Sequence, residues 1–482
     1  MKQVKRTDME PRRRGAKIYL AATVTAQLCA LARYTILARF LGPEELGLVA
    51  MLTLTSQFFQ SVTDNGSDRF LIQDKDGDKP VVQGLVQALF IGRGGLQALC
   101  LMLFAGPIAA YFKTPALQPA LTVLALAPLI FGFLHLDFRR DQRQADFRSE
   151  AIVTLAAEVL SLAATGAAAY ITHDFTAILY GLIVRSIAFV VITHLLAKRP
   201  YRVGFSKEHM QRLAHFSWPL VLNGLLLFIG SQGDRVVVAN ELGIGQLGYY
   251  TAVLMLVFYP ASTIMRYVGA MHLPLIAAAR DDQARRDVAA DALGSQILLL
   301  GTAMAAGFAL VAPIAVVLLY GSKFAQPPLI IAMIGIFQAT RVLRQWPTTV
   351  ALGMAHSEIV LANNIVRMSG LACAFLAVRY FGGVISITAG FIVGELLALA
   401  TAILLVNRAS GRRLLHDFDR VALFILASML IVGWTTVADH REAVRIIILA
   451  CGSMLALGWL VKRERATLQQ AVAASMGMFR KT

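Results

Sequence analysis

Eleven ionisable side chains stand inside otherwise apolar stretches of this sequence. They are Arg33, Arg93, Arg185, Arg235, Arg266, Arg341, Arg344 and Arg367, with Glu158, Asp234 and Glu395. A guanidinium group stays protonated at neutral pH, so eight cations face three carboxylates. Charge inside a membrane is costly unless water, a partner or a ligand compensates it. A cationic, water-filled cavity meets that need, and its guest is then anionic. Arginine suits a phosphate because its fork donates two parallel hydrogen bonds. Arg33, Arg93, Arg235, Arg266, Arg341 and Arg344 are therefore the candidate substrate-binding residues. Asp234, Glu158 and Glu395 are the acids that could gate the path or carry a coupling proton or sodium ion, and no cofactor is called for. Adjacent helical residues point about 100° apart, so Asp234 need not pair with Arg235. It could instead neutralise Arg33 as an outer gate. The plainer readings are structural. Arg185 with Glu158, and Arg367 with Glu395, could simply pair between neighbouring helices. Arg39, Arg266 and Arg445 could snorkel to headgroups. His135 and His272 lie near span ends and receive no special role.

The elements that must position these charges are membrane spans. Of 482 residues, 57% are hydrophobic and 15% charged, against about 25% charged in ordinary soluble domains; mean hydropathy is +0.64. A spanning helix needs about 20 mostly apolar residues. Fourteen candidate spans lie near 17–40, 46–63, 81–110, 117–138, 151–171, 177–197, 213–240, 247–274, 292–320, 328–352, 358–379, 385–406, 420–438 and 444–461. The fold class expected is an all-α polytopic membrane protein. The first run contains Arg33 and lacks a small-residue cleavage site, so it reads as a retained span. Cys29, Cys100, Cys373 and Cys451 all fall in apolar runs without metal-binding spacing.

Lysine and arginine in the connecting segments set the orientation. With the N-terminus in the cytoplasm, the cytoplasmic segments carry 31 of them and the outer loops only Lys113, Lys323, Arg379 and Arg441. That bias accounts for most of the net charge of +16, and anionic lipid headgroups rather than nucleic acid are its expected partners. Both termini then face the cytoplasm. The loops are short, and no GxxxxGK[ST] phosphate loop is present. Neither a nucleotide site nor a catalytic extramembrane domain is expected, so the chain is not read as an enzyme.

A weak internal repeat organises the spans. ARFLGPEELGLVAM (38–51) matches ANELGIGQLGYYTA (239–252) at Ala38/Ala239, Leu41/Leu242, Gly42/Gly243, Leu46/Leu247 and Gly47/Gly248, an offset of 201. QPAL at 118–121 matches QPPL at 326–329, Ser149-Glu150 matches Ser357-Glu358, and Gly181 matches Gly390 at offset 209. Such self-similarity indicates duplication, and the glycines of the first match would permit tight turns. Six spans separate the twins, so the halves are parallel, as in transporters that alternate access around a central cavity. The expected division is a six-helix lobe at 1–200, a second at 201–410, and two additional helices with a basic tail at 411–482. Prolines 107, 128, 219, 260, 274, 313 and 347 fall inside spans, where membrane helices tolerate them.

Residues 31–73 resemble the N-terminal signature of Wzx-type polysaccharide flippases, of the superfamily that also holds the MATE multidrug exporters and the lipid II flippase. Ala38, Arg39, Leu41, Gly42, Pro43, Glu45 and Gly47 fit an ARxLGPxExG turn, and Asp64 and Gly66 fit a following Asp-x-Gly stretch. The resemblance implies two lobes in a V. It also implies a cargo of oligosaccharide on undecaprenyl pyrophosphate, flipped from the cytoplasmic to the outer leaflet for exopolysaccharide or O-antigen synthesis. Polysaccharide-assembly proteins are further candidate partners. The alternatives are an ion-coupled exporter of small molecules, disfavoured because cationic drugs want an acidic cavity, and a membrane glycan polymerase or ligase, disfavoured by the nearly bare outer loops. A scaffold in an assembly complex would be an additional role.

Overall fold

The computed structural model describes residues 9–143, 146–411, 414–437, 458, 461–465 and 469. Its elements are α1 (Met9–Phe40), α2 (Pro43–Val62), α3 (Ser67–Gln73), α4 (Pro80–Tyr111), α5 (Leu117–Leu124), α6 (Leu126–Phe131), α7 (Asp137–Arg143), α8 (Arg148–Thr172), α9 (Ala177–Leu196), α10 (Lys207–Leu242), α11 (Ile244–Ala278), α12 (Gln283–Tyr320), α13 (Pro328–Gly353), α14 (Ser357–Arg367), α15 (Ser369–Phe381), α16 (Gly383–Ser410) and α17 (Leu414–Val437). The chain is an all-helical, multi-pass membrane protein, with no strand among the described residues.

Helices occupy the first thirteen expected spans; the fourteenth, near 444–461, lies outside the described residues apart from single positions at its end. Nine described helices are long and apolar enough to cross a membrane, ten if the bent pair α2–α3 counts as one span. Among those that miss this measure are α10 and α13. They carry Asp234, Arg235, Arg341 and Arg344, and these charges lower their hydropathy. Pro107, Pro260, Pro274, Pro313 and Pro347 sit within continuous helices. Cys29, Cys100 and Cys373 are free thiols.

By contacts the chain divides into two compact units, Met1–Gln232 with Gly243–Gly248, and Gly233–Leu242 with Tyr249–Thr482. In the first unit α8 packs along α1 and α9. Small residues set that approach, as is usual where helices meet without water to drive them together: a Cβ on Gly181 would stand 1.9 Å from Thr165 Oγ1. α2 starts with Pro43 at its first turn followed by Glu44 and Glu45, which suits both the fixed proline φ and the positive helix end. It stops at the Asp-x-Gly stretch. There Asp64 Oδ1 and Asn65 Oδ1 accept from the backbone N–H of Gly66 and Ser67, Gly66 is left-handed at φ 62°, and α3 leaves at 48°.

The first unit also contains the packed twin of the repeated turn. A Cβ on Gly47 would meet the carbonyl oxygen of Ile244 at 2.0 Å, and one on Gly248 would meet that of Pro43 at 1.8 Å. Pro43 and Ile244, like Gly47 and Gly248, are equivalent by the offset of 201. The contact is thus reciprocal. The turn glycines themselves differ. Gly243 has φ +88° and needs to be glycine, whereas Gly42 has φ −78°, open to most residues.

The basic residues expected to face headgroups are partly claimed by carboxylates of other connecting segments in the first unit. Arg139 meets Asp68 at 3.1 Å, Arg199 meets Asp78 at 3.2 Å, Arg212 meets Asp76 at 2.8 Å and Lys198 meets Asp141 at 3.3 Å. A count of Lys and Arg alone could not register these acids. His135, expected to be idle, is buried. Its Nδ1 accepts from the backbone N–H of Asp137 at 3.2 Å, so the neutral ring directs Nε2 to the carbonyl of Arg199 at 3.1 Å.

In the second unit α13 packs against α12, α14, α16 and α17 over an apolar core that includes Ile297, Val342, Leu343, Trp346, Leu399 and Phe424. Where α15 meets α16, a Cβ on Gly390 would lie 2.3 Å from the backbone nitrogen of Ala374. This is the Gly181–Thr165 crossing again, 209 residues on. Arg420, at the start of the span expected near 420–438, is fully buried. It reaches Asp291 at 3.0 Å, Asp417 at 3.4 Å and Glu464 at 3.4 Å, and lies over the Trp346 ring at 5.5 Å. The sequence pattern missed it because Arg420 stands at the edge of a hydrophobic run, where arginines usually reach water.

Candidate functional site

The first unit gathers one carboxylate and two arginines. Glu158 lies near the middle of α8 and Arg185 near the middle of α9; Arg185 Nε meets Glu158 Oε1 at 2.5 Å. Arg33, from α1, donates through Nη1 to Glu158 Oε2 at 3.1 Å and to Ser161 Oγ at 2.6 Å. Ser161 donates its own hydroxyl proton to the carbonyl of Gly181 at 2.8 Å, which turns a lone pair toward Arg33. Two guanidiniums around one carboxylate leave a formal excess of one positive charge.

Arg93 does different work. Its Nη1 meets Asp64 Oδ1 at 3.2 Å, Nη2 donates to the carbonyl of Gln60 at 3.0 Å, and Nε points at Thr63 Oγ1 at 3.4 Å. Gln97 Nε2, one turn further along α4, donates to the same Thr63 hydroxyl at 2.5 Å. All three partners of Arg93 lie at the end of α2. It therefore satisfies one carbonyl that a helix terminus leaves open and ties down the α2–α3 break. A cleft beside it is lined by Gln60, Phe90, Arg93, Gln97 and Phe131 among others.

The second unit holds the denser cluster. Glu395 on α16 is buried, and three arginines converge on it: Arg367 Nε at 2.6 Å, Arg344 Nε at 2.7 Å and Arg341 Nε at 3.8 Å. Arg341 and Arg344 are three residues apart on α13, hence on neighbouring positions of one face. Arg341 lies about 20 Å along α13 at 1.5 Å per residue, deep in the span. Asn363, one turn before Arg367, completes the group. With its amide oriented to donate to the carbonyl of Ala398 at 3.0 Å, its oxygen accepts from Arg344 Nη1 at 3.2 Å. One carboxylate cannot satisfy three guanidiniums, each with five N–H donors. Arg367 Nη2 is buried without a hydrogen-bond partner, as are both amide atoms of Gln338, one turn before Arg341. The formal excess is two positive charges.

The remaining candidates are placed apart. Asp234 is buried and accepts from Tyr250 Oη at 2.7 Å, so its partner is a neutral hydroxyl. Arg235 is buried beneath Phe258 at 5.9 Å, and its Nε has no partner. Arg266 is exposed and, among the described residues, donates to the carbonyl of Ser262 in its own helix at 3.4 Å. The structure thus brings Arg33 to Glu158, and Arg341 and Arg344 to Glu395, and gives Arg93, Arg235, Asp234 and Arg266 separate surroundings. Sequence reasoning passed over Ser161, Tyr250 and Asn363. Asn363 was the most legible, since a polar residue four before Arg367 shares its face.

Solved structures with the same arrangement of helices are transporters. The inward-facing conformation of a multidrug resistance MATE family transporter of the MOP superfamily aligns with a TM-score of 0.62 at 15% identity, over 81% of this chain and 98% of that one. The lipid II flippase MurJ, in an inward closed conformation, aligns with a TM-score of 0.67 at 11% identity, over 93% and 99%. These likenesses define the fold. The chain belongs to the polysaccharide biosynthesis protein family, whose model matches residues 36–327. Among curated relatives, the succinoglycan biosynthesis transport protein ExoT of Rhizobium meliloti (strain 1021) is 26% identical over 60% of this chain; the match spans 58% of that protein's length. The lipopolysaccharide biosynthesis protein WzxC of Escherichia coli (strain K12) is 20% identical over 80% of this chain and 78% of its own.

Proposed function

We propose that this protein flips an oligosaccharide repeat unit carried on undecaprenyl pyrophosphate from the cytoplasmic to the outer leaflet of a bacterial inner membrane, by alternating access. It does so without catalysing a covalent step. The observation that carries the reading is the cluster of Arg341, Arg344 and Arg367 around the single Glu395. Its two surplus positive charges and unused N–H donors, deep in membrane helices, suit a pyrophosphate. Family membership and the names of the relatives support the same cargo class. Two repeated lobes, 1–200 and 201–410, with an appended segment 411–482, form the transport unit, and both termini are cytoplasmic.

Arg33, Arg341 and Arg344 receive the phosphate groups, with Arg235 and Arg266 as further contacts along the path. Arg93 contributes by holding the α2–α3 break. Asp234, bonded to a neutral hydroxyl, is the acid best placed for ion coupling or gating.

Transfer of a lipid-pyrophosphate oligosaccharide across proteoliposomes tests the proposal. Wild type moves the cargo. Arg33→Ala and Arg341→Ala raise the cargo concentration needed for half-maximal transport while folded yield is kept. Arg93→Ala lowers folded yield instead. Wild type that moves no such cargo under any ion gradient would sink the assignment.

A further inference from the structure

We propose that Glu158 and Glu395 are positioning residues, each fixed by one arginine and each presenting another to the cargo's phosphate groups. The inference rests on the flippase reading and adds residues to it. In the first unit Arg185 fixes Glu158, and Glu158 with Ser161 holds Arg33 by Nη1 alone. In the second, Arg367 fixes Glu395, and Glu395 with Asn363 holds Arg344 by Nε and Nη1, with Arg341 beside it.

One feature separates this arrangement from an ordinary helix-to-helix ion pair, and a second leaves N–H donors free for cargo. First, the pairs stand at equivalent places with their signs exchanged. Glu158 on α8 corresponds to Arg367 on α14 at the offset of 209, and Arg185 on α9 lies within one residue of the place of Glu395 on α16. A pair that only joins helices is complete with two members. Both units recruit a third, Arg33 from α1 or Arg344 from α13, from outside the repeated helix pair. Second, the recruited arginine is held by part of its fork. Arg33 makes both bonds through Nη1, and the Nη2 of Arg344 takes no part in those that hold it. Arg344 keeps 14% of its side-chain surface accessible against 6% for its anchor Arg367, whereas in the first unit Arg33 keeps 14% and its anchor Arg185 keeps 35%. A guanidinium held at one edge by a carboxylate is restricted in orientation before cargo arrives, which reduces the ordering cost of binding.

The experiment uses the full chain in nanodiscs and proteoliposomes. The probes are a fluorescent polyprenyl pyrophosphate, the corresponding monophosphate, and a proton or sodium gradient. Glu158→Gln and Glu395→Gln keep a side-chain oxygen as acceptor but remove the charge that orients the arginine. Each is expected to weaken pyrophosphate binding and raise the transport KM about tenfold, the size of one charge-assisted hydrogen bond. The maximal rate and gradient dependence are expected to persist. Glu158→Asp and Glu395→Asp recover part of the affinity, and serve as the readout if a Gln variant does not fold. Unchanged binding with gradient dependence abolished would make these glutamates ion carriers and overturn the proposal. Unchanged binding and transport with only a lower melting temperature would reduce them to structural pairs, with the same consequence. Wild type that binds neither polyprenyl probe, while the variants behave like it, would instead remove the flippase reading.

Discussion

Glu158 and Arg367 stand within one residue of the same place in two copies of one helix pair, 209 residues apart, and carry opposite charges. The correspondence is fixed by backbone packing rather than by the charges. Gly181 closes on Thr165 in the first copy and Gly390 on Ala374 in the second, and all of these positions share that offset. Each copy keeps an ion pair across the crossing.

Exchange of sign is therefore tolerated at this site where single reversal is not. Glu158→Arg alone places three guanidiniums together with Arg33 and Arg185 and is expected to abolish folded protein. The double variant Glu158→Arg with Arg185→Glu is expected to restore most of the melting temperature, because the pair is re-formed with its signs exchanged. Thermal melting in detergent of wild type, single and double variants checks this; a double variant no better than the single would contradict the equivalence.

The reciprocal contact of the twin turns predicts a second graded result. Gly47→Ala and Gly248→Ala each push a methyl group to within 2.0 Å of a backbone carbonyl oxygen. Backbone cannot rotate away as a side chain can, so each substitution is expected to cost about 1–3 kcal/mol or more. Gly245→Ala is the control, since its nearest neighbour is the flexible Glu44 side chain at 3.4 Å. Folded yield and melting temperature should fall for the first two and stay near wild type for the third.

Arg420 offers a test of the ion cluster that joins α12, α17 and Glu464. Removing one member of a buried charge group leaves the others uncompensated, at a cost of about 3–5 kcal/mol. Arg420→Ala is expected to lose that much stability. Adding Asp417→Asn should recover part of it, because one stranded carboxylate is then neutral. Chemical denaturation of the single and double variants measures both steps.

His135 predicts a pH response in the connecting segments. Burial lowers its proton affinity, and the neighbouring His194 acts in the same direction. Protonation at Nδ1 would also remove the acceptor that holds the Asp137 N–H. The folded pKa is below that of the unfolded chain, so the unfolded state binds more protons as pH falls below about 6.5. Its contribution to stability is complete above that pH and is lost on descending from it. His135→Gln should flatten this part of a melting-temperature profile between pH 7 and 5; an unaltered slope would show that other groups set it.

The sequence by itself determined the helical membrane fold, the family and the identity of the charged residues. Each of these is a local property. An apolar run must bury its backbone polar groups in a helix, and an arginine within such a run is conspicuous wherever it points. The carboxylate–arginine pairs Glu158–Arg185 and Glu395–Arg367 were legible for the same reason, since adjacent spans must touch. Partners across distant spans were decided by tertiary structure alone. Arg33 and Arg93 look alike in sequence, yet one is bonded to Glu158 on α8 while the other is committed to the broken end of α2. Helix rotation and depth decide that difference, and neither is encoded in hydropathy. Arg420 makes the same point from the other side. Its position at the edge of an apolar run suggested water, and packing against Trp346 and three acids placed it in the interior instead.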